Sequence, residues 1–390
     1  MLRIHPLLAS LCGFAILAAS GCATSTAPTF APQATLDEKL EVTRDHLSLP
    51  GAAIYVREGD DVLVHRALGV ASLETKEPMS LDHRFRLASI TKPVVATVLL
   101  QLVDEGKLSL DDPVANHLDG VPGGERITLR MLAQHTSGLV NYIALPHVKE
   151  AFSQSPERMW TEDELLAFAF AEKPYFKAGK DGWMYSNTNY VLLGQLIERV
   201  EGQPLDAVIQ RRICEPLGLT ATYYSVDAGD QVEPFAHGYQ YGDLEAPIYW
   251  KGMGDVPYDV TDASPSMWHA AGAMVSTLSD TVTLIEAIVN GELVSPAMHA
   301  EQMTWRASGY PVDYDYGLGL IRYFGAIGHN GNTPGYQATA MHDASADRTV
   351  VVLTNLYSSP NYEDPANALY FVIHKHITGR SVAPPGWNGW

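Results

Sequence analysis

Basic residues are scarce in this chain of 390 residues, which has 26 lysines and arginines against 45 aspartates and glutamates. The formal net charge at pH 7 is therefore −19. A surface of that sign repels the phosphates of nucleic acids, and no cluster of basic residues interrupts the pattern. The composition therefore predicts that the protein has no nucleic-acid partner.

The N-terminus lacks an apolar run long enough to cross a bilayer, because the apolar stretch covers only residues 7–19. That length fits the core of a secretory signal peptide, with Arg3 as its basic region. Small residues followed directly by Cys22 resemble the cleavage box of a bacterial lipoprotein, with Ala19 where a leucine is usual. We therefore expect a signal peptide and lipidation box over 1–22, and export to the periplasmic face of a bacterial membrane with a lipid anchor on Cys22. An ordinary signal peptide cut nearby is the alternative.

Cysteine is also scarce, with three residues in the whole chain. Cys12 falls inside the expected signal and Cys22 at its end, so Cys214 has no partner for an internal disulfide. Its apolar neighbours at 212–217 favour a buried structural thiol over a nucleophile.

The remaining chain divides by composition and by apolar periodicity. Residues 23–35 are mostly small residues and proline, which indicates a flexible tether before a folded domain over 36–376 and a tail over 377–390. Helices are expected over 36–49 and 365–376. Strands are expected at both ends of the domain, over 52–57, 62–68, 317–323, 335–342 and 349–355.

The middle of the chain, residues 89–300, is composed mainly of predicted helices and loops, including a buried helix over 94–103 and another over 190–200. The predicted fold class is therefore α/β (α+β). One antiparallel sheet is built from both chain ends and flanked by helices, with a mostly helical lobe inserted. The sheet lobe would comprise 36–88 and 301–376.

A hydroxyl and an amine occur at helical spacing in Ser89-Ile90-Thr91-Lys92-Pro93. Proline is tolerated in the first turn of a helix, so the helix begins close to Ser89. Residues three apart share a face, so Lys92 can reach Ser89, whose N–H lies at the positive helix end and can face an oxyanion. A serine nucleophile needs an adjacent base, and a buried lysine can serve. The alternative, a capping Ser89 and a solvated Lys92, fits poorly with the apolar helix that follows.

Two further polar stretches accompany this motif. In Tyr185-Ser186-Asn187, a phenol can relay a proton and an amide can hydrogen-bond a substrate amide, although Asn187 or Thr188 can equally cap a helix. In His329-Asn330-Gly331-Asn332, glycine lets a substrate backbone approach the sheet edge, and the N–H of Asn332 would be a second oxyanion donor. Seen alone, the second stretch is also consistent with a glycine-rich turn.

In this order the three motifs resemble those of the serine β-lactamase and penicillin-binding-protein superfamily, for which Ser-x-x-Lys is a signature. The middle Tyr-x-Asn is closest to the branch of class C β-lactamases, D-alanyl-D-alanine carboxypeptidases and related esterases. Stretches at 132–139, 214–219 and 271–277 look like that branch too. The resemblance covers about residues 36–376 and implies a β-lactamase/transpeptidase-like catalytic domain.

The resemblance also implies roles for the motif residues. Ser89 would be the nucleophile, Lys92 its base or base-orienting cation, and Tyr185 the proton relay. The implied substrate contacts are Asn187, His329, Asn330, Gly331 and Asn332, with the N–H groups of Ser89 and Asn332 as the oxyanion hole. His135, in the first supporting stretch, is expected to be structural.

One motif departs from the β-lactamases, which mostly carry Lys-Thr-Gly where this chain has His329-Asn330-Gly331. Lysine would be a permanent cation for a substrate carboxylate, whereas histidine is mostly neutral at pH 7. Catalysis is not threatened by this change, but strong capture of an anionic β-lactam or peptide C-terminus is less secure.

We therefore expect a serine hydrolase that cleaves an amide or ester bond of a small-molecule or peptide substrate through an acyl-enzyme on Ser89. D-alanyl peptides of the cell wall are the default substrate class, a β-lactam is a related one, and an esterase of small acyl esters is the alternative on the same site. A non-catalytic lipoprotein that binds wall peptides is the alternative of another class. The sequence contains no Gly-x-Ser-x-Gly, His-Glu-x-x-His, Cys-x-x-Cys or phosphate-binding loop motif, so no metal site and no cofactor are expected.

Overall fold

The computed structural model describes residues 28–241, 256–309, 313–360 and 363–383. The expected signal peptide and the anchor at Cys22 lie outside the described residues, as does the end of the tail. Within the described ranges, no helix combines the length and apolar character needed to span a bilayer. The domain boundaries drawn from the sequence stay predictions.

Strands from both ends of the domain build its main sheet. In chain order, the strands are β1 Gly51–Glu58, β2 Asp61–Gly69, β3 Phe85–Arg86, β4 Tyr223–Tyr224, β5 Tyr239–Gln240, β6 Tyr258–Asp259, β7 Met274–Ser276, β8 Arg306–Ala307, β9 Tyr314–Tyr316, β10 Ile321–Tyr323, β11 Ala326–Thr333, β12 Tyr336–Asp343 and β13 Arg348–Thr354. Eight of them form one sheet in the order β2-β1-β13-β12-β11-β10-β9-β8, with every neighbouring pair antiparallel. The predicted antiparallel sheet made from both chain ends is confirmed.

Helices cover both faces of this sheet. They are α1 Leu36–His46, α2 Thr91–Asp104, α3 Leu129–Ala133, α4 Pro146–Gln154, α5 Glu162–Phe170, α6 Asn187–Glu201, α7 Leu205–Ile209, α8 Glu215–Leu217, α9 Leu278–Val289, α10 Pro296–Gln302 and α11 Pro365–Thr378. Alternate residues of β13 point to opposite faces, so Val350 and Val352 pack with α11 while Val351 and Leu353 pack with α9 and the helical lobe. The predicted fold class is therefore confirmed.

Two helices of the helical lobe carry the predicted motifs. Helix α2 follows a 3-10 turn at Ala88–Ile90, and its first ten residues are all buried, as the apolar sequence predicted. Helix α6 begins at Asn187 and not at Tyr190, because Ser186 is already in the extended conformation of a helix N-cap. The second motif therefore lies at a helix N-terminus.

The structure differs from the sequence prediction at two strands. The strand expected over 317–323 is interrupted by a turn, in which the N–H of Gly317 donates to the Leu320 carbonyl and Gly319 has a φ of +78°. A side chain at position 319 would also meet the Cβ of Ala96 at 2.5 Å. The stretch around His329, where no strand was predicted, forms the eight-residue strand β11.

Candidate active site

Ser89 and Lys92 face each other at the start of α2. The Lys92 amine donates to the Ser89 hydroxyl over 2.9 Å and to the Ala271 carbonyl over 2.6 Å. Lys92 is completely buried, whereas Ser89 keeps 7% of its surface exposed. The three-residue spacing therefore brings the two groups into contact, and the hydroxyl retains access to the outside.

Tyr185 completes this cluster from the segment that leads into α6. Its phenol donates to the Ser89 hydroxyl over 2.9 Å. The Lys92 Nζ lies 4.9 Å from the centre of the Tyr185 ring and 5.5 Å from that of Tyr190. Such distances allow favourable contact between an ammonium group and the ring faces. The structure thus brings together the hydroxyl, the amine and the phenol that the sequence placed in one site.

Strand β11 runs past the Ser89 turn. Its whole length from 327 to 333 pairs with β12, whereas β10 pairs only with residues 326–328. A Cβ at Gly331 would lie 2.1 Å from the Leu87 carbonyl oxygen and 3.0 Å from the Ser89 nitrogen. Only glycine permits this approach, and it places the strand that carries Asn330 and Asn332 beside the nucleophile. Both asparagines remain partly exposed.

The His329 side chain lies in the interior and not beside those asparagines. It is 1% exposed, and its Nε2 lies 3.1 Å from the Tyr316 hydroxyl while its Nδ1 lies 2.5 Å from the Asn330 carbonyl oxygen. Burial, and secondly the charge of Lys92, lower the pKa of His329 to about 3. Burial raises the pKa of Tyr316, which keeps its hydroxyl a donor. The imidazole is therefore neutral, and both its nitrogens are used inside the protein.

Asn187 lies in the first turn of α6, where its N–H donates to the Asn141 Oδ1 over 3.2 Å. Asn187 does not cap the helix with its own side chain, and the Thr188 hydroxyl donates to the Val140 carbonyl. The buried Oδ1 of Asn187 has no hydrogen-bond partner among the described residues. An unsatisfied acceptor next to Tyr185 is the chemistry expected of a site that awaits a substrate donor.

Sequence reasoning missed three residues that shape this site: Ala271, Asn141 and Tyr316. Ala271 and Asn141 lie in or directly after stretches that resembled the family, but a backbone acceptor and a capping amide leave no trace in a single sequence. Tyr316, on β9, contacts the imidazole of His329, on β11. No local sequence pattern indicates that contact.

Comparison with known proteins places this geometry in context. A family model described as Beta-lactamase matches residues 36–375. Penicillin-binding protein 4* of Bacillus subtilis is 27% identical over 80% of this chain and 69% of its own length. Esterase EstB of Burkholderia gladioli is 30% identical over 65% of this chain and 69% of its own. The solved structure of a D-stereospecific amidohydrolase from Streptomyces is 31% identical with a TM-score of 0.73, covering 85% of this chain and 95% of that one.

Proposed function

The chain belongs to the beta-lactamase family of serine hydrolases, and we propose that it cleaves an amide or ester bond through an acyl-enzyme on Ser89. The observation that carries the proposal is the position of the Ser89 oxygen, 2.9 Å from both the Lys92 amine and the Tyr185 phenol. A serine is a weak nucleophile until a neighbouring group takes its proton, and here two such groups touch it.

In the proposed reaction, Lys92 acts in its deprotonated form: the Ser89 Oγ attacks the substrate carbonyl carbon while the neutral Lys92 amine takes the hydroxyl proton. The negative oxygen of the tetrahedral intermediate accepts hydrogen bonds from the N–H groups of Ser89 and Asn332. Tyr185 delivers a proton to the departing nitrogen or oxygen as its bond to the carbonyl carbon breaks. The Lys92 ammonium then reprotonates the Tyr185 phenolate. Water attacks the acyl-enzyme carbonyl and gives one proton to the Lys92 amine, which passes it to the Ser89 Oγ as the bond between that oxygen and the carbonyl carbon breaks and the acid leaves.

The substrate class proposed is a D-aminoacyl amide or an ester with no carboxylate beside the scissile bond. The neutral, internally bonded His329 supplies no cation to hold such a carboxylate. Binding without that ion pair favours uncharged neighbours of the scissile bond, since a buried carboxylate needs a charged or strongly donating partner. The D-stereospecific amidohydrolase and the esterase among the similar proteins support the same two bond types.

A labelling experiment followed by a turnover panel tests the proposal. Mass spectrometry after treatment with an uncharged fluorophosphonate should show an adduct on Ser89 that is lost in Ser89→Ala. Turnover of D-alanine p-nitroanilide and p-nitrophenyl butyrate should exceed turnover of nitrocefin and of an acylated D-Ala-D-Ala peptide. An unlabelled Ser89 with saturable peptide binding and no turnover would instead identify a binding lipoprotein, and faster cleavage of the carboxylate substrates would reject the substrate class.

The proposal extends to location: the chain is exported and anchored in a membrane through a lipid on Cys22. The apolar run at 7–19 and the small residues before Cys22 support it. In a bacterial host supplied with radioactive palmitate, the native chain should carry label and partition into detergent, whereas Cys22→Ala should do neither. Label retained in Cys22→Ala, or an unlabelled native chain, would contradict the anchor.

A further inference from the structure

The backbone on both sides of Tyr185 is bonded to one residue, His135. The N–H of Met184 donates to the His135 carbonyl over 3.0 Å, and the N–H of Ser186 donates to the His135 Nδ1 over 3.2 Å. The imidazole also lies under the phenol ring, with the two ring centres 4.3 Å apart and the planes inclined by 37°. Three contacts from one residue thus hold the segment that presents the phenol to Ser89.

We propose that His135 is a positioning residue that fixes the Tyr185 phenol on Ser89, and that its neutral Nδ1 is the acceptor on which this depends. The inference deepens the proposed function, because it matters only if Tyr185 transfers a proton. His135 does not touch the Ser89 hydroxyl in any contact of the described residues. Its effect on the reaction therefore passes through the tyrosine.

The network around His135 dictates which nitrogen carries the proton. The Ser137 hydroxyl donates to the Asn189 Oδ1 over 2.7 Å, which turns the Asn189 Nδ2 toward the His135 Nδ1 at 3.2 Å. Two donors, Asn189 and the Ser186 N–H, therefore meet at Nδ1, so the ring proton is on Nε2. The charged imidazole would place a third hydrogen at that point and break the arrangement.

The surroundings keep the ring in its neutral form. His135 is completely buried, and burial, with the nearby Lys92 charge and the His329 ring, lowers its pKa well below the ordinary value. Aromatic rings pack around it, from Tyr190, Tyr316 and Trp183. The Nδ1 acceptor is therefore unprotonated at neutral pH.

The backbone of His135 is strained in a way that the proposed role explains. Its φ of +60° lies in the left-handed region, which few non-glycine residues adopt, although histidine, asparagine and aspartate do so more often than the others. This conformation directs the carbonyl and the imidazole of one residue at the two amides that flank Tyr185. Strain of this kind persists where the surrounding structure requires it, and it is concentrated at functional sites.

Two amide substitutions form a matched pair for the test. In His135→Asn the side-chain oxygen takes the place of Nδ1, whereas in His135→Gln the amide lies one bond further out, so the atom bonded to Cγ is the amide carbon, which accepts no hydrogen bond. We expect His135→Asn to keep kcat/KM for a p-nitrophenyl ester within about threefold of native, and His135→Gln to lower it by about 10- to 100-fold, mainly in kcat. In a Tyr185→Phe background, adding His135→Gln should lower kcat/KM further by less than about twofold.

Each result points one way. A native-like His135→Gln, or a cost that is equally large in the Tyr185→Phe background, overturns the inference, because a merely structural residue would lower activity in both backgrounds alike. Native activity in Tyr185→Phe itself overturns the proton role in the proposed function and is thereby distinguishable. Circular dichroism checks that the variants fold. If His135→Gln does not fold, the test uses His135→Asn alone. A folded His135→Asn whose kcat/KM is close to native supports the inference, and one that loses activity equally in both backgrounds overturns it.

Discussion

Lys92 is completely buried, which is rare for a residue whose side chain is usually charged. Its amine contacts the Ser89 hydroxyl and the Ala271 carbonyl, and the rings of Tyr185 and Tyr190 lie over it. A buried amine can lose its proton, whereas a guanidinium stays charged. The chemistry proposed for this position therefore depends on lysine.

Substitution of Lys92 by arginine tests whether the amine takes the serine proton. An arginine stays charged and cannot accept a proton, so we expect Lys92→Arg to slow the labelling of Ser89 by a fluorophosphonate by about 100-fold or more. The control is Lys173→Arg, because Lys173 is exposed and lies after the end of α5. Near-normal labelling of Lys92→Arg, with its fold intact by circular dichroism, would move the base to Tyr185.

Among the elements of the helical lobe, the ends of α2 and α6 are tied together by a group of charges. The nearly buried Glu201 contacts Arg212 over 2.9 Å and Lys107 over 2.9 Å, and it also bonds Arg211. Glu105 accepts from Arg212 over 2.6 Å. Since α2 carries Ser89 and Lys92 at its other end and α6 follows Tyr185, this group helps to fix the angle at which the site is assembled.

The charge group predicts how stability depends on pH. Hydrogen bonds from Arg212 lower the pKa of Glu105 and of Glu201 from 4.5 to about 2. Because the folded pKa is the lower one, this stabilisation is complete above pH 4.5 and is lost as the pH falls toward 2. In urea unfolding at pH 7, Glu201→Gln should lose about 1–3 kcal/mol, and its difference from native should shrink at pH 3.5. The exposed Glu125→Gln serves as the control, and a difference that does not change with pH would contradict the assignment.

Strand β11 shows what the sequence could and could not predict. The contact between Ser89 and Lys92 follows from local spacing and from Pro93, so it was predictable within one helical turn. Residues 328–332 contain two glycines and two asparagines, which are poor strand formers. Their strand exists because β12 pairs with them. Glycine is required at 331 because a Cβ there would lie 2.1 Å from the Leu87 carbonyl oxygen. Such tertiary contacts have no local signal.

The contacts of His135 and His329 were unpredictable for the same reason. His135 and Ser186 are 51 positions apart in the chain. Tyr316 contacts His329 from strand β9, and the turn that follows β9 was predicted as part of one strand over 317–323. The sequence therefore predicted a histidine at the substrate's edge, whereas packing placed its ring inside the protein. Motif position predicted where the backbone lies, but not where the side chain points.

At the scale of the whole molecule, the long-range field and the local site act in the same direction. The net charge of −19 repels anions at a distance. At the site, the neutral His329 provides no cation to compensate for that repulsion. On the proposed function, we therefore expect a free carboxylate to weaken both the approach of a substrate and its binding.

The long-range part of this effect can be separated from the local part by salt. The Debye length falls from about 30 Å at 0.01 M salt to below about 10 Å at 0.3 M, so exposed charges act over much shorter distances. We expect kcat/KM for N-acetyl-D-Ala-D-Ala, an anion, to rise about 3- to 10-fold over that range, while the value for its uncharged C-terminal amide stays constant and higher throughout. If the anion were instead cleaved more slowly as salt is added, a cation of the protein would be attracting its carboxylate, and the neutral His329 could not be what selects the substrate.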